Sequence, residues 1–120
     1  MKIRLLSSAA SVVALLSVIT SPVAFSAAHG DMIAEGKRLA FDRKLGNCLT
    51  CHVIAGGQAA GNLGPPLIAM KARFPDKNVL RAQIWDATAK NPATPMPPFG
   101  RHSIMTEKQI DLVTEFIHSL

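Results

Sequence analysis

The chain has 120 residues, 13 Lys+Arg against 8 Asp+Glu, and aromatic residues at only 5%. That length holds one domain and is too short for a (β/α)8 barrel or a full doubly wound sheet. A formal charge of +5 scattered along the chain does not mark a nucleic-acid binder, and two cysteines do not make a disulfide scaffold.

Met1-Lys2-Ile3-Arg4 is a short basic start, and no residue from Leu5 to Phe25 is charged. Ser26-Ala27-Ala28 then offers the small residues that a signal peptidase accepts. The expectation is a secretory leader over residues 1–28, cut after Ala28 or after Ser26, with export to the periplasm. A retained anchor is the competing reading, since the uncharged run is just long enough to span a bilayer. The serines, Thr20 and Pro22 interrupt that run, and nothing later is apolar enough to cross a membrane.

Residues 29–120 form the expected domain. Losing Lys2 and Arg4 leaves 11 basic residues against 8 acidic ones, a formal charge of +3. The aromatics there are Phe41, Phe74, Trp85, Phe99 and Phe116. So few large side chains give little core to set against folding entropy. Such a chain needs a staple or a large apolar object at its centre.

The spacing of Ile33, Gly36, Leu39 and Ala40 predicts a first helix over residues 31–43, with Asp31 as its cap. Gly36 disfavours that helix unless a second helix crosses closely there. Residues 53–66, rich in Gly and Pro, read as an ordered loop, and 67–73 as a short helix. Asp76 is a plausible N-cap for a helix over 77–89 that displays Val79, Leu80, Ile84 and Trp85. Asn91 to Gly100 is a proline loop. Thr106 and Gln109 fit a capping box ahead of the stripe Ile110, Val113, Phe116, Ile117 and Leu120. No strand alternation is visible, so the fold class is all-α.

Cys48-Leu49-Thr50-Cys51-His52 is the C-x-x-C-H attachment signature of a c-type haem. Each cysteine adds across one haem vinyl group, and His52 becomes the proximal iron ligand. A thioredoxin-like pair, a zinc site and a plain disulfide are the competing readings. The first lacks a surrounding α/β pattern, and the second lacks further cysteines. Haem also supplies the missing apolar centre.

An electron carrier commonly holds its iron from both sides, and Met opposite His raises the potential. Met96 is the favoured sixth ligand, in Pro95-Met96-Pro97-Pro98-Phe99, where the prolines stiffen the loop. Met70, His102 or no protein ligand remain as alternatives, while Met32 and Met105 read as packing residues. Phe99 shields the haem edge. In Gly64-Pro65-Pro66-Leu67, the Pro65 carbonyl is placed to accept the His52 ring N–H, and Leu67 to pack on the haem. The cofactor expected is one low-spin haem c with His/Met ligation. Lys37, Lys44, Lys71, Lys77, Lys90 and Arg101 are candidates for steering an acidic partner, or an ordinary solvated surface.

These pieces resemble class I c-type cytochromes over nearly all of residues 29–120. Further stretches resemble the SoxX family, the small monohaem subunits of periplasmic SoxAX complexes. They are Leu39-Ala40-Phe41-Asp42-Arg43, Gly46-Asn47-Cys48, Gly61 to Leu67, Arg73-Phe74-Pro75-Asp76, Gln83 to Thr88, Asn91-Pro92 and Met96 to Gly100. The resemblance implies a heterodimer with a SoxA-like monohaem or dihaem cytochrome. That complex, an L-cysteine S-thiosulfotransferase, couples thiosulfate to a cysteine of the carrier SoxYZ. The bond-forming site is then on SoxA, and this chain passes electrons to a small cytochrome acceptor. The chain is compact for that family, which leaves room for an additional small subunit. A free periplasmic electron shuttle is the alternative. Neither reading involves nucleic acid.

Overall fold

The computed structural model describes residues 23–120, so most of the expected leader lies outside the described residues. Four α-helices follow in order: α1 Val23–Phe41, α2 Met70–Arg73, α3 Lys77–Trp85 and α4 Glu107–His118. The described residues contain no strand, and no helix among them is long and apolar enough to cross a membrane.

Helix α1 begins earlier than its spacing predicts and runs through the position after Ala28. Asp31 lies inside it and does not cap it. Gly36, Leu39 and Ala40 are buried, with Ile33 and Phe41 half-buried beside them. These positions share one face, and that face packs on α4. Gly36 is the point of closest approach: a Cβ there would overlap the backbone carbonyl of Leu112 and crowd Phe116. The Phe41 and Phe116 rings meet edge to face at 5.8 Å.

Helix α4 starts at the expected capping box. The Gln109 N–H donates to Thr106 Oγ1 at 3.3 Å, and the Thr106 N–H donates to Gln109 Oε1 at 2.9 Å. Ile110, Val113, Phe116 and Ile117 are buried along its stripe. Asp76 caps α3 by accepting from the Asn78 N–H at 2.9 Å. Leu80 and Ile84 face the core, whereas Val79 is 41% exposed.

Two helices are shorter than the sequence predicts. Helix α2 starts at Met70 because Ala69 sits in the left-handed region, at φ 50°. Leu67 is already committed elsewhere, its N–H donating to the Val53 carbonyl at 2.9 Å. Helix α3 stops at Trp85 rather than at residue 89. Asp86 turns extended and caps a separate 3-10 turn, Ala87–Ala89, accepting from the Thr88 N–H at 3.0 Å. An aspartate that bonds its own neighbours offers the backbone an alternative to the helix.

Candidate haem site

The chain leaves α1 through a tight turn in which Asp42 O accepts from Leu45 N–H at 3.2 Å and Asn47 N–H at 2.9 Å. Asn47, at φ 48°, reverses the backbone into a 3-10 turn at Cys48–Thr50. Cys48 O then accepts from both Cys51 N–H and His52 N–H, at 3.2 and 2.9 Å. One turn of chain therefore gathers both thiols and the imidazole.

The glycine-rich segment wraps back over this turn. Gly61 N–H donates to Leu49 O, and Gly64 N–H donates to Cys51 O, each at 2.8 Å. Both glycines are required by close approach: a Cβ at Gly61 would overlap Thr50 O, and one at Gly64 would overlap the His52 ring. His52 Nδ1 lies 2.7 Å from Pro65 O. The carbonyl can only accept, so Nδ1 donates and Nε2 keeps its lone pair.

These residues line a cavity of about 540 Å³. Leu67, Leu80, Ile84, Phe99, Val113 and Ile117 make up much of its apolar wall. Protein interiors rarely leave voids larger than a water molecule, and this volume is that of a ligand site. The cavity brings together Cys48, Cys51, His52, Pro65, Leu67, Met96 and Phe99. Arg43, Asn47, Arg73 and Thr94 add polar groups to the same lining.

Cys48 and Cys51 are both half-buried, and no disulfide joins them. Burial pushes the Cys48 thiol up to about 11. That is opposite to the activated thiolate of a thioredoxin-like pair. Among the described residues, no group of three or more His, Cys, Asp or Glu side chains is placed to hold a metal ion. An apolar chamber with Cys48 and Cys51 at its wall, and an imidazole whose Nδ1 is engaged by Pro65 O so that Nε2 keeps its lone pair, suit a haem.

Four methionines are described, and they differ sharply. Met32 is 39% exposed on α1. Met105 is buried and packs on the cavity. Met70 is also buried at the wall, but its sulfur lies 3.4 Å from Arg73 Nη1, which donates to it. Met96 is half-buried on the lining, with its N–H donating to Thr94 Oγ1 at 3.2 Å. His102 is exposed and does not line the cavity.

Sequence reading missed Arg73, whose guanidinium donates to Pro66 O at 2.8 Å and so braces the segment that holds His52. It also placed Lys77 and Arg101 among candidates for steering an acidic partner or an ordinary solvated surface. Lys77 instead pairs with Glu115, and Arg101 with Asp86. Neither partnership has a local sequence signal, since each joins residues far apart in the chain.

A family model described as Cytochrome c matches residues 33–120. An uncharacterized lipoprotein of Aquifex aeolicus (strain VF5) is 30% identical over 78 residues, which is 62% of this chain and 37% of that protein. The chain thus spans well under half the length of that relative. With a helical fold closed around an apolar chamber, and Cys48, Cys51 and His52 in the haem c attachment spacing on its wall, the chain belongs to the cytochrome c family.

Proposed function

We propose that this chain is a one-electron carrier whose single haem c is held by thioethers from Cys48 and Cys51 and by axial bonds from His52 and Met96. The observation that carries this is the shared cavity, which has His52 and Met96 on one apolar lining. When bound, the haem supplies reversible one-electron chemistry at iron. The residues of the chain do the rest. Pro65 orients the His52 ring, Leu67 and Phe99 exclude water, and Arg43 and Arg73 offer positive charge to the carboxylates of the group. Arg73 occupies the sulfur of Met70, which favours Met96 as the thioether donor. With His52 and Met96 both holding the iron, a substrate would find no open position on it. The chain then takes an electron from one protein and yields it to another.

The test is the mass of the denatured protein purified from an exporting host. It should exceed the polypeptide mass by roughly 0.6 kDa, one covalent haem. A Cys48→Ser/Cys51→Ser double variant should release its haem on denaturation. Free thiols in the denatured wild type would overturn the reading.

The SoxX-like stretches outside the attachment motif favour a narrower second reading, an electron-accepting subunit beside a SoxA-like cytochrome. Joining thiosulfate to a SoxYZ cysteine thiol forms an S–S bond between the cysteine sulfur and the outer thiosulfate sulfur and releases the thiol proton and two electrons. This chain would relay those electrons one at a time to a small cytochrome. Purification from the native periplasm with a SoxA-like partner, and thiosulfate-dependent haem reduction only in its presence, would support this. A partner-free chain indifferent to thiosulfate turnover would leave the free shuttle.

A further inference from the structure

The loop that carries Met96 is closed at its neck by contacts remote from the attachment turn. At one side of the neck stand Trp85, Asp86 and Thr88, and at the other Gly100 and Arg101. Gly100 N–H donates to Trp85 O at 3.0 Å. A Cβ at Gly100 would overlap the Trp85 ring, so the two strands of the neck touch. Arg101 Nε lies 2.9 Å from Asp86 Oδ2, and Arg101 Nη2 donates to Thr88 Oγ1 at 3.0 Å. The Thr88 hydroxyl donates in turn to Asp86 Oδ1. The three side chains close a ring of two hydrogen bonds and one ion pair.

That ring is anchored to the helical frame. Arg81 lies over the Trp85 ring at 5.6 Å and pairs with Asp111 of α4 at 2.5 Å. Beyond the neck, Pro92, Pro95, Pro97 and Pro98 stiffen the loop. A stiff loop does not absorb a displacement at its base; it passes that displacement to Met96.

We propose that Asp86, Thr88 and Arg101 form a positioning clamp that holds the methionine loop against the cavity and sets how readily Met96 yields to a competing ligand. This rests on Met96 being the donor opposite His52. Asp86, Thr88 and Arg101 do not line the cavity, so the clamp acts through the loop.

Imidazole titration of the ferric, haem-loaded protein tests the clamp, with the near-infrared sulfur-to-iron absorption as the marker of Met96. Arg101→Gln and Thr88→Val should each raise imidazole affinity about threefold to tenfold, as expected for losing a charge-assisted contact. The double variant should fall short of the product of the two, because both break one network. Lys77→Gln is the control, since it breaks the separate Lys77–Glu115 pair between α3 and α4. It should leave imidazole affinity within about twofold while lowering stability to denaturant. Wild-type affinity in both clamp variants, with the sulfur band present in the wild type, overturns the clamp alone. An equal rise in Lys77→Gln overturns it too, because the cause is then general loosening. A wild type without the sulfur band removes the Met96 reading and the clamp together. If Arg101→Gln does not fold, Thr88→Val decides, since it removes only a hydroxyl.

Discussion

Nδ1 of His52 and the carbonyl oxygen of Pro65 lie 2.7 Å apart, joining positions 13 residues distant in the chain. Gly64 presses on the same ring: a Cβ there would stand 2.7 Å from Nδ1 and 2.9 Å from Nε2. The imidazole is thus held at its edge by one residue and across its plane by the one before it.

Gly64→Ala should therefore displace the His52 ring or the segment above it. Overpacking of this kind costs about 1–3 kcal/mol. Haem should stay covalently attached, but the ferric protein should lose part of its low-spin signal in electron paramagnetic resonance. An unchanged spectrum and an unchanged denaturation midpoint would mean that the cradle is slack.

Met96→Ala should abolish the near-infrared sulfur band and let the ferrous protein bind carbon monoxide readily. The reduction potential should fall if water or a nitrogen donor replaces the thioether. Persistence of the band would move the assignment to Met70, which would then have to give up its contact with Arg73.

Two glycines of α1 should respond differently to the same substitution. Gly36→Ala drives a methyl into the Leu112 carbonyl and should destabilise the haem-loaded protein by about 1–3 kcal/mol. Gly30 has nothing within 4 Å of its would-be Cβ and lies in an exposed turn, so Gly30→Ala should leave stability within about 0.5 kcal/mol. Guanidinium unfolding of both variants checks the pair. A loss at Gly30 as large as that at Gly36 would show that the crossing with α4 does not set the response.

The Asp86 carboxyl is held below the usual carboxylate range, chiefly by the Thr88 hydroxyl, with the Thr88 N–H and the Arg101 and His102 charges assisting. A carboxyl whose folded value is depressed stabilises the fold above its unfolded value, and that contribution fades as pH falls through the folded one. The stability gap between wild type and Asp86→Asn should be full near neutrality. It should narrow in acid below the ordinary aspartate value of about 3.9. A gap that widens in acid would contradict the sign.

Legibility in the sequence followed the range of the interactions. Asp76, Thr106 with Gln109, and the stripe from Ile110 to Ile117 are local, and each was readable from spacing. The attachment turn was readable for the same reason. Pro65 was reached only through the chemistry of an iron-bound histidine. The break at Asp86 was hidden because Gln83 to Trp85 and Ala87 to Ala89 both have helix-compatible composition. What separates them is an Asp–Thr–Arg ring whose third member arrives from residue 101. Arg73 was hidden likewise, since a basic residue beside a short helix does not reveal that it reaches Pro66 and Met70.

Among its described side chains, helix α1 meets the core only through its later turns. Every residue from 27 to 32 is exposed, Ile33 is the first described side chain to pack on the core, and Gly36 is the first to be buried. A peptide bond broken anywhere in that exposed stretch would forfeit helical turns and none of the described core contacts. A preparation with ragged starts across residues 27–32 should therefore give several masses in the spectrometer and one sharp melting transition. Heterogeneous trimming at this end would be chemically visible and thermodynamically silent.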